Sequence, residues 1–250
     1  MNKYRLSQRL NQMAKWLDQD VSIADIGTDH GYLPYCLFEQ KKISHAILCD
    51  INQGPLENAK NTFKSSDYVK SAEFRLGSGI EPIEDGEVDY VIIAGMGGTL
   101  IKKILSKDIK KTKSFKGFFL QPQTEQDVLR HWLLENQFQI ISDFYAFEDQ
   151  KYYEALYVLP QNVNLNPIGV LSVIPSGQSA FKVYEISNDL EFGYKVHPDS
   201  LETYRAYLEY KAHKYKMILS KLSGRNNPKA MSCQFKLQQI EQLLRHLKKV

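Results

Sequence analysis

Residues 21–34 read VSIADIGTDHGYLP, and the reading of this stretch decides the fold. Val and Ile among small residues over 21–26 predict a short buried parallel strand. The run breaks at Gly27-Thr28-Asp29-His30-Gly31, and 32–40 then reads as a helix. A strand entering a glycine-bounded loop before a helix gathers main-chain N–H groups and a helix N-terminus at one point. That point suits the polar end of a nucleotide-like ligand. Glycine serves there because it takes backbone angles closed to other residues and lets a ligand approach the chain.

Neighbouring stretches agree. Residues 45–51 (HAILCDI) form a second apolar run holding Asp50, nineteen residues past Gly31. A carboxylate at the tip of the second strand is placed to hold ribose hydroxyls. Residues 73–79 (EFRLGSG), 89–98 (DYVIIAGMGG) and 117–123 (GFFLQPQ) predict three more strands, each ending in glycine or polar residues. All five tips fall on the carboxyl edge of a parallel sheet, where such sheets bind ligands. Residues 140–147 and 152–159, separated by EDQK, predict an antiparallel hairpin at the sheet's end. Helices are expected between the strands. Leu6, Leu10, Met13 and Leu17 share one face of 3–18, and Pro55 opens 54–62. Thr99 sits near the start of 97–105, with Leu100, Ile101, Ile104 and Leu105 facing inward. Thr124 is the expected N-cap of 124–136. The fold class is α/β, a Rossmann-like sheet of parallel strands closed by an antiparallel hairpin.

The cofactor loop lacks the middle glycine of a G-x-G-x-x-G dinucleotide fingerprint. Asp29 puts a carboxylate where a pyrophosphate would lie, and the two would repel. A cationic sulfonium with an amino-acid tail fits better, and Asp25 within the strand points the same way. This combination resembles motif I of the class I S-adenosylmethionine-dependent methyltransferases. RLNQMAKWL, ADIGTDHGYLP, IAGMGG and FLQPQ, followed by a basic helical tail, narrow the likeness. Together they resemble the bacterial tRNA adenine-22 N1-methyltransferases over nearly the whole chain. The resemblance implies S-adenosylmethionine as donor, S-adenosylhomocysteine as product, and N1 of an adenine in the tRNA D-arm region as acceptor. Ser78 departs from the pattern, since many relatives carry Asp there; a hydroxyl still reaches an adenine amine, but bonds it more weakly than a carboxylate.

The chain has 250 residues, 43% hydrophobic and 24% charged, ordinary for a globular protein with a self-sufficient core. Its net charge of +3 hides an asymmetry, because 1–194 sum to −5 and 195–250 to +8. A basic appendage on a mildly acidic core points to a polyanionic partner, or to a solvated helical face. Leu201, Tyr204, Leu208, Lys211, Tyr215, Ile218 and Leu222 form a heptad seam broken by Lys211. After a turn at 224–228, Cys233, Leu237, Ile240, Leu244 and Leu247 continue it, predicting a coiled-coil helical hairpin. The expected division is therefore a methyltransferase domain over 1–194 and a basic helical hairpin over 195–250, with 162–194 read as loops and short helices. Cys36, Cys49 and Cys233 show no CxxC spacing and the six histidines no ligand spacing, so neither disulfide nor metal is expected. No apolar run is long enough for a membrane span, and a cytoplasmic chain, monomeric or weakly dimeric, is expected to act on tRNA and not DNA.

Candidate site residues follow. Asp25, Gly27, Thr28, His30 and Gly31 border the methionine moiety; Asp50 and Ile51 hold the ribose end, and Gly77 and Ser78 flank the adenine. Gly95 and Met96 form the floor near the reacting methyl. Asp29 is the candidate catalytic carboxylate, either stabilising the cationic ring, accepting a proton, or only bonding the cofactor. Gln121 is expected to present its amide to the target base. Arg5, Arg9, Lys211, Lys214 and Arg225 are candidate phosphate contacts. A small-molecule methyltransferase with a dimerising tail and a non-catalytic cofactor-dependent RNA-binding protein remain open at this point.

Overall fold

The computed structural model describes residues 4–160, 179–222 and 227–249. At its centre lies β1 (Val21–Ile26), paired in parallel with β2 (Ile43–Asp50) and β4 (Tyr90–Met96). β3 (Ala72–Leu76) lies outside β2, and β5 (Gly117–Pro122) outside β4, both parallel to their neighbours. β7 (Lys151–Leu159) then inserts antiparallel between β5 and β6 (Gln139–Glu148). The strand order is β3-β2-β1-β4-β5-β7-β6, extended by two short strands, β9 (Lys195–Val196) and β8 (Phe181–Lys182). The chain leaves β1 to build one half of the sheet and returns through β4 to build the other. The crevice between β1 and β4 is therefore the topological switch point, where sheets of this kind bind their ligands.

Alternation along the strands assigns each face its helices. Ile23 of β1 joins a core with Met13 of α1 (Gln8–Trp16), Leu33 of α2 (Tyr32–Glu39) and Phe63 of α3 (Gln53–Phe63). Ala24, one residue on, joins the opposite core with Ile101 of α4 (Gly98–Ser106) and Leu133 of α6 (Gln126–Glu135); a short helix α5 (Ile109–Thr112) follows α4. Both faces of the strands are thus covered, which is why they read as near-continuous apolar runs.

Three sequence expectations need correction. Thr124 is not the N-cap of α6: its carbonyl accepts from Gly98 N at 2.7 Å, and Glu125 at φ 55° takes the cap position without a side-chain bond. Leu100 does not face inward; it is 48% exposed, while Ile101 and Leu105 are fully buried. The sheet continues through β9 and β8, which are too short to show a period of two. Within 162–194, residues 162–178 lie outside the described residues, and the rest carries two short 3-10 helices, Val183–Glu185 and Leu190–Phe192, in keeping with the reading of loops and short helices, besides β8.

The C-terminal hairpin is α7 (Leu201–Lys221) against α8 (Pro228–Leu247). Its core includes Tyr204, Leu208, Ile240 and Leu247, as the heptad spacing predicts, together with Tyr207, Ala212 and Leu243, which it misses. Tyr145 of β6, Val196 of β9 and Phe181 of β8 lie in that same core, so the hairpin packs directly on this end of the sheet. Two polar knots secure the joint. Glu191 bonds Lys211 and Tyr215 of α7, at 2.6 and 2.8 Å, and Lys236 of α8. Lys211 interrupts the apolar seam because it reaches this carboxylate. The second knot is buried Arg130 of α6, which pairs with Asp143 of β6 and Glu154 of β7 and donates to Leu190 O at 2.8 Å. Asp143 also accepts from Tyr194 N and from Lys195 N, the latter at 2.9 Å, and so holds β9 in place.

Candidate active site

The carboxyl tips of the parallel strands converge around residues 25–31. Gly27 N and Thr28 N both donate to Cys49 O, at 2.8 and 3.0 Å, which ties the loop after β1 to β2. Gly77 N donates to Asp50 O at 2.9 Å, joining the tips of β3 and β2, and Gln123 N donates to Met96 O at 2.8 Å, joining β5 and β4. Gly27, at φ +76°, has the end of the Met96 side chain where a Cβ would stand, so Met96 packs over the loop across the switch point. Gly31, at φ +68°, lies within 2.9 Å of Leu48 and 3.3 Å of Ala59 by the same test. Its glycine is needed so that α2 can start close against β2 and α3.

Asp25 is the buried charge of the site. Burial pushes its carboxyl up to about 6; the Thr28 hydroxyl pulls it down, and the Asp50 charge adds to the rise. Thr28 Oγ1 is itself buried and lacks a hydrogen-bond partner of good geometry. A buried acid and a buried hydroxyl that make only a poorly formed bond to each other, side by side under a glycine loop, are groups that a cationic, donor-bearing ligand would satisfy. Asp50 Oδ1 accepts from Asn52 N at 2.7 Å, which fixes the carboxylate at the tip of β2. Ile51 is 66% exposed and, with Ser78, Ile80 and Leu100, lines a cavity of about 840 Å³. Leu100 thus has a place, as one of the apolar walls of this cavity beside Ile51 and Ile80.

Asp29 stands out from the loop with its side chain 74% exposed and His30 Nε2 3.4 Å away. His30 stacks on Tyr32 at 5.0 Å, and Tyr32 stacks on Tyr4 at 4.6 Å, forming an aromatic group that the sequence reading missed. Its signal in the sequence is Tyr32 directly after the glycine loop, a position that by itself reads only as a helix start.

Gln121 does not present its amide outward. It is fully buried, and its Oε1 accepts from Gly95 N at 3.1 Å and from Arg9 Nη1 at 2.7 Å. Its Nε2 donates to Pro122 O at 3.3 Å. The residue therefore braces the Gly95-Met96 turn. Arg9 in turn lies 5.0 Å from the Tyr153 ring centroid and 3.7 Å from Glu148, so its guanidinium is engaged within the chain. Arg5 is exposed just before α1. Lys211 is held by Glu191, and Lys214 is exposed one turn along α7. Arg225 lies outside the described residues. Among the described residues no cluster of three His, Cys, Asp or Glu side chains is arranged for a metal, and no helix is long and apolar enough to cross a membrane.

Residues 6–156 match a family described as a methyltransferase domain. The chain belongs to that family. The chain is 37% identical to the tRNA (adenine(22)-N(1))-methyltransferase of Bacillus subtilis over 156 residues, 62% of this chain and 66% of the relative. The match thus spans just under two thirds of that curated relative. Among solved structures, a candidate tRNA m1A22 methyltransferase from Streptococcus pneumoniae superposes on the methyltransferase domain and its hairpin together. The TM-score is 0.79 at 27% identity, covering 96% of this chain and 100% of the other. A second structure, from M. capricolum, holds S-adenosylhomocysteine; it covers 98% of this chain and 99% of its own at 27% identity and TM-score 0.72.

Proposed function

We propose that this chain transfers the methyl group of S-adenosylmethionine to N1 of an adenine in tRNA, at position 22 by likeness to its relatives. One observation carries the reading. The likeness to tRNA m1A22 methyltransferases runs through the C-terminal hairpin as well as the methyltransferase domain. A shared nucleotide fold alone would not extend so far. In this reading 1–194 perform the chemistry and 195–250 grip the RNA, with Arg5, Lys214 and Arg225 against phosphates.

The residues present fit the cofactor. Asp25 and Thr28, under Gly27 and Gly31, receive the methionine end; Asp50 receives the ribose hydroxyls, and Ile51, Gly77 and Ser78 flank the adenine. When bound, S-adenosylmethionine supplies an electrophilic methyl on a good leaving group. The chain then has mainly to align the acceptor nitrogen with the methyl and exclude water, and positioning of this kind lowers a barrier by roughly 7–11 kcal/mol. The Gly95-Met96 turn, braced by Gln121, forms the floor. Forming the N1–carbon bond moves positive charge onto the adenine ring. In this reading Asp29, the exposed carboxylate of the loop, offsets that charge or takes a proton from the adenine amine. His30 and Tyr32 border the same entrance.

The test uses unmodified tRNA transcript and radiolabelled S-adenosylmethionine with nucleoside analysis, for wild type and Asp29→Ala. N1-methyladenine from wild type and a collapse of kcat in Asp29→Ala, at unchanged cofactor affinity, are expected. Equal incorporation by both would remove Asp29 from the chemistry, and no label in any tRNA would sink the RNA reading.

A further inference from the structure

Where the β6–β7 turn meets α7, the surface carries aromatic rings that the cofactor site does not use. Phe147 is 48% exposed and Tyr210 is 53% exposed, and together with Tyr152 they make a contiguous aromatic patch. Both pack on Tyr152, with centroids 4.7 Å apart for Phe147 and 5.5 Å for Tyr210. Beside them opens a cavity of about 560 Å³, whose lining includes Tyr152, Tyr153, Tyr210, Lys151 and Lys214. Its rim includes Pro122 and Gln123 at the tip of β5, and Gln123 N is bonded to Met96 O. The cavity therefore opens on the same edge of the sheet as the acceptor region. Its size falls within the roughly 300–1,000 Å³ of small-ligand sites.

Charge narrows the occupant. Lys151 and Lys214 are exposed and make no ion pair among the described residues. Lys211 is neutralised by Glu191, and the buried carboxylate Glu154 by Arg130. Glu125 is the exposed carboxylate of the lining. Exposed aromatic rings beside lysines without ion pairs are the chemistry of a single-stranded nucleic-acid platform, in which bases stack on aromatics and lysines follow the backbone. Duplex RNA presents phosphates and 2′-hydroxyls but no free base face.

We infer that the cleft between the β6–β7 turn and α7 binds an unstacked nucleotide of the substrate RNA, its base on the Tyr152–Tyr210 surface and its phosphates against Lys151 and Lys214. This rests on the RNA reading above and adds a second contact, outside the methylation site, that selects RNA with a locally open strand. The hairpin thereby does more than supply positive charge: it provides one wall of a base-binding cleft.

Tyr210→Trp places a fluorescent ring at the surface, whereas the native Trp16 and Trp132 are buried. The probes are unmodified tRNA transcript, an oligouridylate and a perfect RNA duplex of equal length. Saturable quenching by tRNA and oligouridylate, with little from the duplex, is expected. In methylation assays, Tyr210→Ala and Tyr152→Ala should raise the tRNA KM about 5- to 100-fold, while Tyr210→Phe stays near wild type and S-adenosylmethionine affinity holds in all three. Lys151→Ala with Lys214→Ala should flatten the salt dependence of tRNA binding. Wild-type tRNA KM in the Tyr152→Ala, Tyr210→Ala double variant, or equal quenching by the duplex, would overturn the cleft while leaving the methyltransferase reading intact. A wild-type protein that methylates no tRNA would take both down.

Discussion

The Arg9–Gln121–Gly95 bridge gives the sharpest prediction about how the fold sets the site. Gln121 Oε1 holds two donors, the Arg9 guanidinium at 2.7 Å and Gly95 N at 3.1 Å, and its side chain is fully buried. Arg9→Met removes a hydrogen bond to a charged group, worth about 1.5–3 kcal/mol. Gln121→Leu keeps the volume but strips both donors of their acceptor, a loss of about 1–3 kcal/mol. The two substitutions share one interaction, so the double variant should be less destabilised than the sum of the singles by about 1–2 kcal/mol. Arg9 retains its Tyr153 and Glu148 neighbours in Gln121→Leu, which isolates the bridge from those contacts. Urea denaturation of the four proteins measures the stability cycle. If the bridge also fixes the Gly95-Met96 floor, each single variant should lose about tenfold in kcat, equivalent to roughly 1.4 kcal/mol, with the cofactor KM little changed. Additive stabilities would refute the shared bond. Unchanged kcat in both singles would refute the idea that the bond positions the floor.

Four further outcomes are expected. Affinity for S-adenosylmethionine should rise between pH 5 and 7 as Asp25 ionises, since its carboxyl stands near 6; a flat profile in wild type, or the same slope in Asp25→Asn, would contradict this. By linkage, that raised carboxyl contributes stability to the ligand-free protein below the unfolded value near 3.8 and loses it as pH rises through about 6, so Asp25→Asn should be about 1–3 kcal/mol more stable at pH 7.5 in urea melts. Burial would raise the Glu191 carboxyl, but Lys211, Lys236 and Tyr215 outweigh it and hold it near 2. Its stabilisation is therefore present above about 4.5 and lost as pH falls through 2, and Glu191→Gln should cost about 3 kcal/mol at pH 7. Arg130→Met, which strands Asp143 and Glu154 without their buried partner, should cost about 3–5 kcal/mol in the same denaturation assay; a neutral result would show the triad dispensable.

The sheet was legible because buried parallel strands leave apolar runs that stop at glycine or polar tips, and 21–26 were readable to the residue. Helix starts were less so. Thr124 has the right chemistry for a cap, yet its carbonyl is drawn to Gly98 by the packing of α4 on α6, a tertiary contact with no local signature. Polar and charged side chains were the least legible. Arg9, Lys211 and Gln121 looked like contacts for RNA because nothing in their neighbourhood in sequence reveals Glu191 or Gly95 as partners. Lys211 and Glu191 are twenty positions apart, and Arg9 and Gln121 are 112 apart. The heptad reading found the hairpin but missed Tyr207 and Leu243, because α7 buries a second face against Tyr145 and β6 and a coiled-coil period describes only one. The glycine loop was legible because steric necessity is local: φ +76° at Gly27 and +68° at Gly31 leave little choice of residue.

The central claim is tested most directly by locating the methyl group. Unmodified tRNA transcript, incubated with the protein and S-adenosylmethionine, is digested and mapped by mass spectrometry, alongside a transcript in which adenosine 22 is replaced by guanosine. N1-methyladenosine at position 22 of the first and no methylation of the second is the predicted result. Methyl transfer at another position, or equal transfer to both transcripts, would contradict it.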